Sequence, residues 1–234
     1  LAARDSLISE LLAFAHRLVA DRAGESVMRD LIMTTYPSHG IVGEEFGLHQ
    51  EKAELVWVLD PIDGTKSFIT GIPLWGTLIG VLKDGEPFLG LSNHPFLQER
   101  FWGDGKEARG VGPLGPKPLR TRKSVPLSDA VMLAGSSTIL DARLDANWRA
   151  LEPQVRMLRY GADCYDSNML AEGHIDSILQ RGLDIYDIAA LVPIIKGAGG
   201  VVTGLDGGAA IDASTILSSG DRDLHATLLA ALSR

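Results

Sequence analysis

The feature that most constrains this chain is the stretch "VWVLDPIDGTKSF", residues 56–68, where an apolar run ends in two aspartates three residues apart. Such a run reads as a strand buried on both faces, so Asp60 leaves the sheet at its C-terminal end, where open sheets place their ligands. Pro61 fixes one backbone angle and Asp63 follows a tight turn, so the two carboxylates converge. Gly64 permits close backbone approach, and Thr65 to Phe68 can open a helix whose free N–H groups and positive dipole end receive an anion. Convergent carboxylates repel unless a cation lies between them, and hard oxygen ligands favour Mg2+. Used only as turn and capping residues, the same aspartates need no ion, and this segment alone leaves both readings open.

Two further segments shift that balance. "GIVGEEFG" sets Glu44 and Glu45 in a glycine-bounded loop after a short β-prone run, and "GLDIYDIAALVPIIKGAGG" sets Asp184 and Asp187 just before a long apolar helix. Taken singly, each acid is more simply a solvated loop charge or an N-cap. Three acidic groups, each beside an apolar run, point together to a metal and phosphate site.

The rest of the chain supplies a layered frame. Leu7, Ile8, Leu11, Leu12, Phe14, Ala15 and Leu18 recur at helical spacing, and a second helix is expected from about Ser26 to Thr34, stopped by Tyr36-Pro37. From Leu55 the pattern turns to short β-rich runs punctuated by Gly, Asp and Pro, which predicts an antiparallel meander. Beyond the basic, Gly- and Pro-containing stretch 110–130, runs alternate between strand and helix. We expect an α/β (α+β) sandwich with halves 1–120 and 121–234 packed as one unit. The basic "KPLRTRK" reads as a solvated strand edge, the histidines other than His16 as surface or capping groups, and Trp75 and Cys164 as core residues.

Charge and cysteine content narrow the function. With 22 Lys+Arg against 30 Asp+Glu, the net charge of -8 argues against a nucleic-acid surface. Cys164 is the only cysteine and cannot form an internal disulfide, and no run of about 18 apolar residues is present, so we expect a cytoplasmic protein with no membrane partner.

"GEEFG", "DPIDGTKSF" and "YDIAALVPIIKGAGGVV" resemble the three signatures of the inositol monophosphatase family of Mg2+-dependent, lithium-sensitive phosphatases. "DGTKSFITGIPLWGTLIGVL" and "RYGADCYDSNMLAEGHID" look most like its histidinol-phosphate phosphatase branch. The resemblance implies a layered αβαβα sandwich, a homodimer, and two Mg2+ ions, with a third in some members. It implies metal ligation by Glu44, Asp60, Asp63, Asp187 and the Ile62 carbonyl, and phosphate binding by the Gly64 and Thr65 backbone. It further implies that the Thr65 hydroxyl, supported by Asp21 and Glu44, orients the attacking water. The expected substrate is L-histidinol phosphate, with inositol 1-phosphate second and a silent phosphometabolite binder third. Gln180 stands where relatives commonly carry a substrate-binding glutamate, and Asp163 and Asp184 are candidates for the missing charge. From the family's usual length, roughly 25 to 30 further residues are expected between Leu18 and Ala20, including a hairpin that closes over the site.

Overall fold

The computed structural model of the protein describes residues 20–135 and 142–233. The first expected helix therefore lies outside the described residues. Helix α1 covers 20–35, longer than expected at its start.

The first sheet has eight strands: β1 (Gly40–Gly43), β2 (Gly47–His49), β3 (Leu55–Asp63), β4 (Gly76–Lys83), β5 (Glu86–His94), β6 (Glu99–Gly103), β7 (Ala108–Gly112) and β8 (Gly115–Lys117). Their spatial order is β2-β1-β3-β4-β5-β6-β7-β8. From β3 to β8 each strand pairs antiparallel with the next, which is the expected meander, while β1 lies parallel to β3. The second sheet takes the order β10-β9-β11-β13-β12, built from β9 (Val131–Ala134), β10 (Met157–Tyr160), β11 (Ser177–Arg181), β12 (Val201–Gly204) and β13 (Thr215–Ser219). The sequence reading missed β13, whose run "TILSS" carries two serines that are nonetheless buried. Ser219 and Ser177 satisfy one another at 3.0 Å, so their burial leaves no polar cost unanswered at that pair.

Helices fill the outer and middle layers. Met28 and Ile32 of α1 pack on Ile41, Leu59, Trp57 and Ile79 of the first sheet. In the second sheet the two-residue strand period divides the apolar side chains between faces. Met132, Leu179 and Leu217 face α3 (Ala142–Leu151) and α7 (Arg222–Leu232), whereas Leu133, Ile178 and Ile216 face α4 (Tyr165–Ala171), α5 (Ile185–Ile188) and α6 (Leu191–Gly197). The middle helices thus separate the sheets in an αβαβα stack. The single apolar helix expected after Asp187 is broken into α5 and α6. Pro193 lacks the N–H that would bond the carbonyl of Ala189, so the ladder is interrupted there.

That break lies against a row of glycines. Gly80 of β4, Gly90 of β5 and Gly103 of β6 are in register across three strands. A Cβ on Gly90 would come within 1.8 Å of the Ala190 carbonyl, one on Gly80 within 2.8 Å of the Ala189 side chain, and one on Gly103 within 2.8 Å of the Pro193 carbonyl. Backbone packs directly on backbone, and α5 is thereby set beside the end of β3. Replacing Gly90 with Ala forces main chain to move, so the variant is expected to lose about 3 kcal/mol in urea unfolding. A loss below about 0.5 kcal/mol would show that the helix does not sit on this row.

Candidate metal and phosphate site

The site begins where β3 meets β4. The strand does not end at Asp60, as the sequence suggested, but continues to Asp63 through a register shift opposite β4. Pro61, which cannot donate to a ladder, falls in that irregularity, and its carbonyl accepts from Thr77 Oγ1 at 2.8 Å. The kink turns Asp60 and Asp63 toward one another. Gly64 follows at φ 81°, in the left-handed region, and opens the six-residue helix α2 (Thr65–Thr70). The Thr65 hydroxyl donates to the Ile62 carbonyl at 3.2 Å.

Across the interface α5 delivers Asp187. One carboxylate oxygen from each of Asp60, Asp63 and Asp187 lies within 4.8 Å of the others. Asp60 is 1% exposed, and its Oδ1 has no hydrogen-bond partner. Burial, then the charges of Asp63, Glu44 and Asp187, push the Asp60 carboxyl well above the usual carboxylate range. Asp63 is raised by burial and then by Asp187, Asp163 and Asp166, and Asp187 is raised to about 6, chiefly by burial. Asp187 Oδ2 also accepts from the Asp184 N–H at 2.7 Å, which fixes the side chain at the start of α5. Oxygen donors crowded against their own repulsion fit a hard divalent cation, whose charge would offset the cost of burying them.

Glu44 borders this group, near enough for its charge to act on Asp60. Burial, followed by Asp21, Asp187 and Glu45, raises its pKa. The turn that holds it rests on Glu25, a residue the sequence reading overlooked. Fully buried, Glu25 accepts from the Glu45 N–H at 2.7 Å and the Phe46 N–H at 3.2 Å, and pairs with Arg29 at 2.6 Å. A Cβ on Gly43 would fall 1.9 Å from Glu25 Oε1, so the glycine of "GEEFG" makes room for that carboxylate. The signal lay in the spacing: Asp21, itself buried, and Glu25 are four apart on α1 and share one face.

The substrate-side candidates occupy three different settings. Asp163 touches the phosphate turn, accepting from the Ser67 hydroxyl. Gln180 is buried on β11 and donates to Asp166 Oδ1 at 3.2 Å. Asp184 is exposed, with its carboxylate bonded by the Tyr186 hydroxyl at 2.8 Å. Asp166, not singled out from sequence, is raised to about 7, mainly by burial. Cys164 is a core residue as expected. Burial, followed by the charges of Asp63 and the other nearby carboxylates, pushes the pKa of its thiol well up, so it stays protonated.

Two other expectations are corrected. His94 and His225 are buried rather than superficial, His225 lying between Ser219 and Thr203. His94 Nδ1 faces the Trp75 carbonyl at 3.0 Å, an acceptor only, so Nδ1 carries the proton and Nε2 accepts from Asn168 at 2.7 Å. The basic stretch begins on the edge strand β8, as expected, but several of its cations are engaged: Lys117 pairs with Glu99 and Glu172, Arg122 with Asp176, and Lys123 bonds the Gly199 and Gly220 carbonyls. Among the described residues, no helix is long and apolar enough to cross a membrane.

An αβαβα stack with acidic groups converging on a glycine turn defines a recognisable class. Residues 16–234 match the inositol monophosphatase family, and the chain belongs to it. The chloroplastic bifunctional phosphatase IMPL2 of Arabidopsis thaliana is 38% identical over 226 residues, 92% of this chain and 64% of that protein. The histidinol-phosphatase of Mycobacterium tuberculosis is 37% identical over 195 residues, 80% of this chain and 74% of that protein. An inositol monophosphatase structure from Zymomonas mobilis, 33% identical, aligns with 92% of this chain and 83% of its own at a TM-score of 0.82. The chain therefore spans about two thirds of the plant relative's length and three quarters of the mycobacterial one's. The family is Mg2+-dependent, and the acidic cluster has the donor chemistry such an ion requires.

Two outcomes follow for stability. The cluster's folded-state pKa values lie above their unfolded ones, so the native state holds extra protons between about pH 4 and 6, and stability falls as pH rises through that window. In chelator at pH 8, Asp60→Asn should therefore be about 1 kcal/mol more stable than wild type, with the gain vanishing near pH 4 and reversing when Mg2+ is added. Thermal unfolding across pH reads this directly, and a variant less stable in chelator would contradict it. His94 has the opposite sign: burial lowers its pKa to about 4, so its contribution is full above pH 6.5 and lost as pH falls toward 4. His94→Gln lacks that titration, and its stability deficit should shrink by about 3 kcal/mol over the same interval.

Proposed function

We propose that this chain is a Mg2+-dependent phosphatase that hydrolyses a small phosphate monoester, with L-histidinol phosphate the leading substrate. The observation that carries the reading is the meeting of Asp60, Asp63 and Asp187 beside the Gly64 turn. Glu44, Asp60, Asp63, Asp187 and the Ile62 carbonyl would hold two Mg2+ ions, with room in the chemistry for a third. When bound, the ions supply positive charge that neutralises the carboxylates and activates water for attack.

The chain's own residues do the rest. Backbone N–H groups of Gly64 and Thr65 receive the phosphate oxygens at the start of α2. The Thr65 hydroxyl, with Glu44 and Asp21 behind it, orients a water molecule for in-line attack. A bond forms from water oxygen to phosphorus, the ester P–O bond breaks, and the departing alcohol takes a proton as inorganic phosphate is left behind.

The substrate assignment draws on two supports. A close relative is named for histidinol phosphate. Asp163 and Asp184 add negative charge around the site, where an ammonium-bearing leaving group would be favoured. Gln180 supports the second reading, inositol 1-phosphate, because a neutral amide suits a polyol better than an ammonium. Of the remaining inferences, a small-metabolite partner, a homodimer and a cytoplasmic location belong to the same proposal.

The test is phosphate release in Mg2+ from L-histidinol phosphate, inositol 1-phosphate and an aryl phosphate, with Asp60→Asn as the blank. We expect the first ester to lead, and Asp60→Asn to lower release by roughly a thousandfold. A preference for the inositol ester would keep the chemistry and overturn the substrate, while no Asp60-dependent release from any ester would leave a silent phosphometabolite binder.

A further inference from the structure

The phosphate turn cannot hold itself. Helix α2 has only six residues, and its N-cap, Gly64, offers no side chain to cap it. A single turn of helix in isolation is unfavourable, because several dihedrals are fixed for one hydrogen bond. Something outside the segment must set its conformation.

Two contacts do so, one made directly by the other half of the chain and one braced from it. The Asp163 carboxylate accepts from the hydroxyl of Ser67, which is buried within α2. A Cβ added to Gly64 would meet Asp163 Cβ at 2.9 Å, so Asp163 lies against the turn itself. The same Cβ would also meet the Trp75 Cα at 3.2 Å, and the Trp75 carbonyl is held by His94, which is bonded in turn by Asn168 of α4. Gly64 is therefore crowded by both Asp163 and Trp75, and both contacts lead to α4 or the loop before it.

That loop is itself under constraint. Gly161, Ala162 and Asp163 have φ of 79°, 131° and 46°, three successive values in a range that L residues rarely adopt. Two of the three carry a Cβ. The loop is tied at both ends, by Gly161 N–H to the Ala134 carbonyl at 3.0 Å and Tyr165 N–H to the Ala162 carbonyl at 3.1 Å. Unfavourable backbone persists where surrounding structure over-determines it, and here it aims one carboxylate at Ser67.

We propose that Asp163 is a positioning residue that acts through Ser67 to hold the Gly64–Ser67 turn in its phosphate-receiving conformation. This rests on the phosphatase reading above, and it replaces the expectation that Asp163 contacts the substrate's cationic part. The two roles differ in what they predict. A charge contact needs the negative charge of Asp163 and favours one substrate. A positioning contact needs only an acceptor oxygen and serves every phosphate ester equally.

Four variants separate them: Ser67→Ala, Asp163→Ala, Asp163→Asn and the Ser67→Ala/Asp163→Ala double. Asn keeps an acceptor and tolerates the left-handed backbone, whereas Ser67→Ala removes one hydroxyl without touching the strained loop. Inorganic phosphate binding in Mg2+, measured by calorimetry, should weaken about tenfold in each alanine variant. The double should be no weaker than the worse single, and Asp163→Asn should recover most of the loss. A urea-unfolding cycle in chelator should show the same non-additivity. In turnover, kcat/KM for L-histidinol phosphate and inositol 1-phosphate should fall by the same factor. Additive losses, or a silent Ser67→Ala beside an Asp163→Asn that loses only the histidinol ester, would overturn the proposal. If wild type binds phosphate with these couplings yet hydrolyses no ester, the phosphatase reading fails and the positioning role stands; if it binds no phosphate, both fall.

Discussion

The architecture depends on the approach of one helix backbone to one sheet backbone. Gly80, Gly90 and Gly103 form a side-chain-free row across β4, β5 and β6, and residues 189–194 lie in it. Any side chain in that row would lift the α5–α6 segment away from the sheet. Because Asp187 precedes the contact by only two residues, its distance from Asp60 and Asp63 is fixed by main-chain packing rather than by a flexible side chain. The Pro193 break that shortens both helices also gives the segment the bend it needs to follow the row.

The site's electrostatics are the reverse of what stability alone would select. Three carboxylates sit together, the most buried with one oxygen unbonded, and their charged forms are penalised by burial and by one another. Two neutral groups lie beside them. His94 is held uncharged by a carbonyl on one nitrogen and an amide on the other, and the Cys164 thiol remains protonated beside Asp63. The charge that burial penalises most is that of the clustered carboxylates. Such local disagreement between fold and charge is where function is expected.

Much of this was legible in the sequence because it is written in local patterns. Asp60, Asp63 and Asp187 each sit beside an apolar run, and the meander announces itself by short β-rich runs with turns between them. What stayed hidden depends on partners far away in the chain. A glycine in β4 means nothing until β5 and β6 bring theirs into register. The serines of β13 looked like a loop because the groups that answer Ser219, the Ser177 hydroxyl and the His225 ring, come from other elements. His94 and His225 looked superficial because their burial is answered by Asn168, Ser219 and Thr203. Glu25 was the one miss with a local clue, its spacing from Asp21. Pro61 misled in the other direction, suggesting the end of a strand that in fact continues through an irregularity.

The division of the cluster between the first sheet and the middle helices also has a temporal side. Asp60 and Asp63 leave the ribosome early, on a sheet whose glycine row still faces solvent. Asp187 is made much later, after the whole meander and the first strands of the second sheet. A chain stopped anywhere before α5 carries two converging carboxylates, an uncovered backbone face and no third oxygen to close the cluster. Contacts of such long sequence separation form late in folding and cost the most chain entropy to close. The meeting of these three carboxylates is therefore a chemical record that synthesis has passed the middle layer and that both halves have docked.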